Sequence, residues 1–209
     1  MSIKQHWDQV YQNSSVDQLG WYESTPEPSL NLIGRCNLHK DAAILNVGAG
    51  ATTLVDELLE LGYRNIVAND ISNAALEKLQ QRLGSEKSTS VQWIVDDLSN
   101  PNALLSLKEV DLWHDRAVLH FLQDPREQVE YFKLLLKLVK QEGFVIIAAY
   151  HLDGAERCSG LPVFRYNAAM LQKNLGKEFI QKDAFDYSYS TPSGASRKYI
   201  YTLFQRKSI

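Results

Sequence analysis

Two glycines and one aspartate have the residue types and the spacing of a nucleoside-binding site. Gly48 and Gly50 follow a short apolar run that begins at Ile44, and Asp70 ends a second apolar run about 20 residues later. Glycine lets a backbone turn approach a ligand without a Cβ atom in the way, and the helix that follows offers free N–H groups. A carboxylate at the end of the second strand can accept hydrogen bonds from both hydroxyls of a ribose. The alternative is a strand, turn and helix without a ligand, which gives Asp70 no structural reason to follow an apolar run.

The spacing also narrows the type of nucleotide. A dinucleotide site uses a third glycine three residues after the second, and Thr53 occupies that position here. A phosphate-binding loop of the Walker type needs Gly-Lys-Ser or Gly-Lys-Thr at a fixed distance, and the sequence lacks it. We therefore expect a nucleoside ligand without a pyrophosphate.

Hydrophobic periodicity places these residues in an alternation of strands and helices. Strands are predicted at 43–47, 65–69, 91–95, 110–114, 144–149, 179–189 and 198–205. Helices are predicted at 3–12, 30–36, 53–61, 73–83, 125–140 and 168–175, with a short helical stretch near 101–107. Five strand–helix units and a hairpin predict an α/β fold: a Rossmann-like seven-stranded mostly parallel sheet with helices on both faces and a C-terminal antiparallel hairpin.

Some boundaries depend on single residues. Ser29 and Ser72 are predicted to cap helices, Gly84 to end the second of these, and Glu142-Gly143 to turn the chain into the fifth strand. The buried stripe of the helix at 125–140 is predicted from its periodicity to comprise Val129, Phe132, Leu135, Leu136 and Val139.

Composition limits the class of protein. A length of 209 residues predicts a single domain, 1–209, with an N-terminal arm at 1–28 and a Rossmann-like core at 43–206. A net charge of −3 gives no case for nucleic acid, and no apolar run is long enough to predict a membrane span. Two cysteines and no hydrophobic leader favour a reducing, cytoplasmic location. No histidine or cysteine pair has metal-ligand spacing, so we expect no metal site.

The predicted topology gathers the polar candidates at one edge of the sheet. In an open α/β sheet, ligands bind beyond the carboxyl ends of the strands at the topological switch point. Those ends hold the glycine turn, Asp70, Asp97, and the pair Asp115 and Arg116. The arm adds aromatic side chains, which either pack on the core or form a flap over the ligand; they are Trp7, Tyr11, Trp21 and Tyr22.

These motifs resemble those of class I S-adenosylmethionine-dependent methyltransferases over nearly the full chain. Leu45-Asn46-Val47-Gly48-Ala49-Gly50 is similar to the family's first motif, and Asp70-Ile71-Ser72 to the segment that holds the ribose. Asp97-Leu98 is similar to the adenine contact, and Asp111-Leu112-Trp113-His114-Asp115-Arg116 to the fourth-strand motif. The cofactor-binding residues that the resemblance implies are Trp7, Tyr11, Asn46, Gly48, Ala49, Gly50, Asp70, Ile71, Asp97, Leu98 and His114. Asn46 departs from the acid that is common in the family at that position.

Two branches of the family share shorter motifs with the chain. Trp7-Asp8-x-x-Tyr11 with Trp21-Tyr22, and Gly62-Tyr63-Arg64-Asn65-Ile66-Val67, are similar to protein-lysine methyltransferases that modify translation factors. Asp115-Arg116-Ala117 is similar to the Asp-Arg-Gly segment of thiopurine methyltransferases. The acceptor therefore stays open between a protein lysine and a small molecule.

Asp115 and Arg116 are the predicted catalytic residues. Arg116 can clamp a carboxylate and Asp115 can orient an amine, or the two form only an internal ion pair at the strand end. His114 and Asp115 alternate along a strand, so at most one of them is expected to face the site. Further substrate candidates are Trp21, Tyr22, His120, Arg157 and Tyr166, of which Arg157 belongs to the long loop after the fifth strand. A cofactor-binding regulatory protein without turnover is the second functional hypothesis, and an NAD-dependent oxidoreductase the third.

Overall fold

The computed structural model describes residues 1–208. Its main sheet has seven strands in the order β3-β2-β1-β4-β5-β9-β8, all parallel except for the antiparallel pairing of β9 with both of its neighbours. The strands are β1 (Ala43–Val47), β2 (Asn65–Asp70), β3 (Val91–Val95), β4 (Val110–Arg116), β5 (Val139–Tyr150), β8 (Phe179–Ser190) and β9 (Ser196–Arg206). Two short strands, β6 (Arg157–Cys158) and β7 (Leu161–Pro162), form a separate hairpin. The predicted α/β fold, with its mostly parallel sheet and C-terminal hairpin, is confirmed.

Six α-helices accompany the sheet, within residues 1–208. They are α1 (Ile3–Asn13), α2 (Glu27–Arg35), α3 (Leu54–Glu60), α4 (Asn73–Ser88), α5 (Pro125–Leu138) and α6 (Ala168–Leu175). Local capping explains several of their starts, since the Ser72 hydroxyl accepts a bond from the Ala75 N–H and Asp124 forms a reciprocal capping box with Glu127. Asn167 caps α6 in the same manner, through the Met170 N–H.

Alternating strand residues divide the core between the two faces of the sheet. Ile44 and Leu112 point to the face covered by α2, α3 and α4, whereas Leu45 and Trp113 point to the face covered by α5 and α6. The same alternation sends His114 and Asp115 to opposite faces, as the sequence predicts. No helix within residues 1–208 is long and apolar enough to cross a membrane.

The structure corrects four local predictions. Helix α2 begins at Glu27 rather than after Ser29, because the Ser29 hydroxyl is hydrogen-bonded to a histidine instead of capping the helix. Gly84 leaves the helical conformation with a φ of 76°, yet a further turn extends α4 to Ser88. Glu142, with a φ of 62°, lies in an irregularity inside β5, so the predicted turn does not start that strand.

The fourth correction concerns the buried face of α5. The side chains that the helix buries are Tyr131, Leu134, Leu135 and Leu138, while Val129 and Leu136 are exposed. The predicted stripe was shifted because the helix also contains apolar residues on its outer face, and the amphipathic period alone does not say which set is buried.

Candidate active site

The turn after β1 brings backbone close to its neighbours. Gly48 and Gly50 both have positive φ, of 56° and 57°, which a side chain would disfavour. A Cβ atom at Gly48 would overlap a Val118 methyl group, and one at Gly50 would overlap the Tyr11 hydroxyl. Both positions therefore require glycine on conformational and on steric grounds.

Asp70 is tied to this turn. Its Oδ2 atom accepts a hydrogen bond of 2.8 Å from the Gly50 N–H, and its Oδ1 atom accepts one of 2.8 Å from the Ser72 N–H. The residue is only 6% exposed, and this burial raises the pKa of its carboxyl to about 6 against the bonds that favour ionisation. The carboxylate has further lone pairs, so it can still accept bonds from a ligand at its exposed edge.

A cavity of about 350 Å³ lies at the carboxyl ends of the first four strands. This volume is within the range of small-molecule sites. The structure brings together nine of the residues predicted from the sequence to line it: Trp7, Tyr11, Trp21, Gly48, Asp70, Ile71, Asp97, Leu98 and Arg116. The aromatic members come from the arm, where the Trp7 ring packs edge-on against Trp21 at 5.5 Å between centroids.

Asp115 does not reach the cavity. Its side chain is fully buried beneath β4 and accepts bonds from the Val118 and Leu119 N–H groups and from the Tyr131 hydroxyl. Burial raises the pKa of its carboxyl to about 6. The position does not fit a direct role on the acceptor, because Asp115 instead fixes the chain that leaves the strand.

Arg116 forms an ion pair with Glu23 rather than with Asp115. Its Nε atom lies 2.9 Å from the Glu23 carboxylate, and its Nη1 atom donates a 2.9 Å bond to the Trp21 carbonyl. The side chains of Arg116 and Glu23 are each 8% exposed, and the guanidinium lies 5.2 Å from the ring centroids of Tyr189 and Tyr199. Arg116 therefore holds the arm in place, and the alternative of an internal ion pair with Asp115 is not what the structure shows.

Asn46 and His114 lie behind the cavity rather than in its wall. The His114 Nδ1 atom lies 2.9 Å from the Asn46 amide oxygen, and its Nε2 atom lies 2.9 Å from the Ser29 hydroxyl. Burial lowers the pKa of His114 to about 3, so the ring is neutral. A neutral Asn46 suits this neutral partner, and both ring nitrogens of His114 are already hydrogen-bonded within the protein.

The remaining predicted residues also lie outside the cavity wall. Ala49 and Gly50 form the back of the turn, and the Ala49 N–H donates to the Asn69 carbonyl. The Tyr22 carbonyl accepts a bond from the Tyr189 hydroxyl, and the Nδ1 atom of buried His120 accepts one from the Tyr150 N–H. Tyr166 is fully buried, whereas Arg157 lines a neighbouring hollow.

Sequence reasoning missed more than half of the wall. Most of the missed residues come from the chain after β4 and from the β6–β7 hairpin: Ala117, Val118, Phe121, Leu122, Gln123, Glu127, Cys158, Leu161 and Pro162. Most are apolar, so nothing in their type distinguishes them from core residues. Asp96 also lines the cavity, and its place beside Asp97 at the end of a strand is a signal that could have identified it.

Carboxylates dominate the charge around the cavity. Asp70, Asp96, Asp97 and Glu127 line it, and Arg116 is the one Lys or Arg in the wall among the described residues. Because Glu23 already compensates Arg116, the cavity favours a cationic ligand. No group of three His, Cys, Asp or Glu side chains within residues 1–208 could hold a metal ion.

The fold and this cavity resemble those of class I S-adenosylmethionine-dependent methyltransferases, and comparison with known proteins agrees. A family model described as a methyltransferase domain matches residues 45–145. The chain is 26% identical over 170 residues to EEF1A lysine methyltransferase 2 of Mus musculus, covering 75% of this chain and 68% of that protein.

Solved structures show the same fold. A methyltransferase from Anabaena variabilis superposes with a TM-score of 0.77 at 11% identity, covering 98% of this chain and 93% of that one. The N-methyltransferase NodS from Bradyrhizobium japonicum, in complex with S-adenosylhomocysteine, has a TM-score of 0.68 at 14% identity, covering 97% and 100%. The chain is thus a methyltransferase that uses S-adenosylmethionine.

Proposed function

We propose that this methyltransferase transfers its methyl group to the side-chain nitrogen of a lysine in a protein. The observation that carries the proposal is the charge of the cavity. Four carboxylates line it, and its single guanidinium is paired with Glu23. An ammonium group enters such a cavity favourably, whereas an acidic acceptor would meet like charges.

The residues of the cavity fit the cofactor, and we propose their roles accordingly. Asp70 accepts bonds from the ribose hydroxyls, and the glycine turn at Gly48 leaves room for the backbone to approach the ligand. Asp97 and Leu98 flank the adenine. Because β3, β2, β1 and β4 lie side by side in that order, the ligand extends along the strand ends from Asp97 towards Arg116.

The chemistry requires mainly alignment and exclusion of water. When bound, S-adenosylmethionine would supply an electrophilic methyl group with sulfur as the leaving group, so the residues of this chain need only position the lysine nitrogen. The lysine must lose a proton before it attacks, and water at the cavity mouth can accept this proton. Precise alignment supplies roughly 7–11 kcal/mol of the barrier. Trp7, Trp21 and Phe121 provide apolar walls that restrict water.

The relative from Mus musculus supports a protein acceptor. It is named as a lysine methyltransferase of EEF1A, which makes EEF1A the first acceptor to test. A small molecule with a nitrogen acceptor is the second candidate, because four aromatic side chains line the cavity and NodS is an N-methyltransferase with the same fold.

The test is transfer of a tritiated methyl group from S-adenosylmethionine. EEF1A, free lysine, aromatic amines and small thiols are offered separately, and hydrolysed protein is analysed for methyllysine. We expect methyllysine in EEF1A, and much less of it with Asp70→Asn at low S-adenosylmethionine concentration, because this variant should weaken cofactor binding. Labelling confined to thiols or to small amines contradicts the proposal.

A further inference from the structure

A second hollow, of about 430 Å³, lies directly beside the cavity. One side of it is formed by the arm, including Gly20 and Trp21, and the other side by the β6–β7 hairpin, including Arg157 and Cys158. Trp21 and Cys158 also line the cofactor cavity. These two side chains therefore form the partition between the hollow, which we term the entry groove, and the cavity.

The partition adjoins the end of β4. Trp21 is fixed there because its carbonyl accepts the 2.9 Å bond from Arg116 at the end of β4. Asp70 ends β2, and β1 separates β2 from β4 in the sheet. A ligand whose ribose binds Asp70 and whose other end reaches β4 brings its reactive end towards Trp21 and Cys158.

The charge of the entry groove is opposite to that of the cavity. Arg157 and Arg197 line it, and no Asp or Glu among the described residues does so. Each arginine donates a bond to a main-chain carbonyl, Arg157 to Gly160 and Arg197 to Ser196. Neither forms an ion pair within residues 1–208, so guanidinium N–H groups of both arginines are available to a carboxylate.

We propose that the entry groove binds the polypeptide segment around the target lysine, and that Arg157 and Arg197 bind an acidic side chain close to that lysine. This inference rests on the proposed lysine acceptor. The aliphatic stem of the lysine passes between Trp21 and Cys158, where apolar surface suits its methylene groups. Its nitrogen then reaches the cavity, while the acidic neighbour stays in the basic groove.

The first experiment compares peptides that contain one lysine. The residues on either side are aspartate in one series and asparagine in the other, and steady-state kinetics give KM and kcat with S-adenosylmethionine. We expect the best aspartate peptide to have a KM about tenfold lower. Arg157→Gln and Arg197→Gln should remove this preference, whereas Arg64→Gln, an exposed arginine at the start of β2, should keep it.

The second experiment fills the entry groove. Gly20 lines it and has open space around the position of a Cβ atom, as does Gly34 on α2. Gly20→Trp should raise the peptide KM at least about tenfold and leave the calorimetric affinity for S-adenosylhomocysteine unchanged. Gly34→Trp, the matched control, should change neither quantity.

The outcomes separate this inference from the function on which it rests. Equal use of aspartate and asparagine peptides, or normal peptide kinetics in Gly20→Trp, overturns the proposal that the entry groove binds the peptide. Either result leaves the proposal of lysine methylation intact. Weaker binding of S-adenosylhomocysteine by Gly20→Trp also overturns the entry-groove proposal, because the groove would then belong to the cofactor site. Methylation of small amines with no lysine peptide used overturns both proposals.

Discussion

The two halves of the cavity are assembled in different ways. The proposed cofactor half, formed by Gly48, Asp70 and Asp97, follows consecutive strands, and the bond between Gly50 and Asp70 joins residues 20 positions apart. The proposed acceptor half, formed by Trp21, Arg116 and Cys158, depends on contacts such as that of Arg116 with Trp21, which are 95 positions apart. A local motif builds the first half, and tertiary packing of the arm builds the second.

The largest expected effect comes from breaking the Arg116–Glu23 ion pair, which anchors the arm at the acceptor half. Arg116→Met leaves the Glu23 carboxylate buried without a partner, so we expect a loss of about 3–5 kcal/mol in the free energy of unfolding. Arg116→Met combined with Glu23→Leu should recover much of this loss, since no buried charge remains. Urea unfolding measures both. Lys87→Met at an exposed pair is the control, and strictly additive losses at positions 23 and 116 would contradict the anchor.

The cofactor half is tested at Asp70. Asp70→Asn keeps the size of the side chain but removes the charge that accepts the ribose bonds. We expect weaker binding of S-adenosylhomocysteine by about 1.5–3 kcal/mol, or roughly 10- to 150-fold. Calorimetry measures this change, with Glu77→Gln on the exposed side of α4 as the control. Unchanged affinity in a folded Asp70→Asn protein would place the ribose elsewhere.

Protonation of Asp70 gives a smaller, graded effect. Its folded pKa is raised from 3.8 to about 6, and ribose hydroxyls donate to the ionised form. Affinity for S-adenosylhomocysteine should thus be constant above this pKa and fall as pH decreases through it, by up to about tenfold per unit. The slope should disappear in Asp70→Asn. A slope that persists in that variant would assign the titration to another group.

Hydrogen exchange resolves the smallest effect, within the arm. The carbonyls of Trp21, Tyr22 and Glu23 accept bonds from Arg116, Tyr189 and Thr53 respectively, so this segment should exchange slowly without ligand. Adding S-adenosylhomocysteine should slow exchange mainly in α1, which supplies Trp7 and Tyr11 to the cavity. A uniform change over residues 3–28 would instead support a lid that moves as one unit.

Much of the fold was predictable because its signals are local. Alternating strand and helix periods, the glycine turn and the capping residues Ser72 and Asn167 each act within a few residues. The buried face of α5 was not predictable, since the choice between its two apolar faces is made by what packs on the sheet. Ser29 likewise looks like a cap until the fold brings it to His114.

The predictions for the site differ in the same way, because some depend on local motifs and others on contacts between distant residues. Gly48, Asp70 and Asp97 were predicted because nucleoside binding requires those residue types at that spacing, and all three line the cavity. Asp115 and Arg116 were predicted to act on the acceptor because they follow a strand at the correct edge. Their real partners, Tyr131 and Glu23, are distant in sequence and carry no motif. Sequence therefore locates the edge of the sheet at which a site forms, but only the fold shows which side chains are already engaged.

The most direct test of the account is a crystal structure with S-adenosylhomocysteine. We predict that the ribose hydroxyls bind Asp70, that the adenine lies beside Leu98, and that the sulfur atom lies near the partition formed by Trp21 and Cys158. A ligand in the reverse orientation, with its sulfur atom next to Asp97, would contradict the division of the cavity into a cofactor half and an acceptor half.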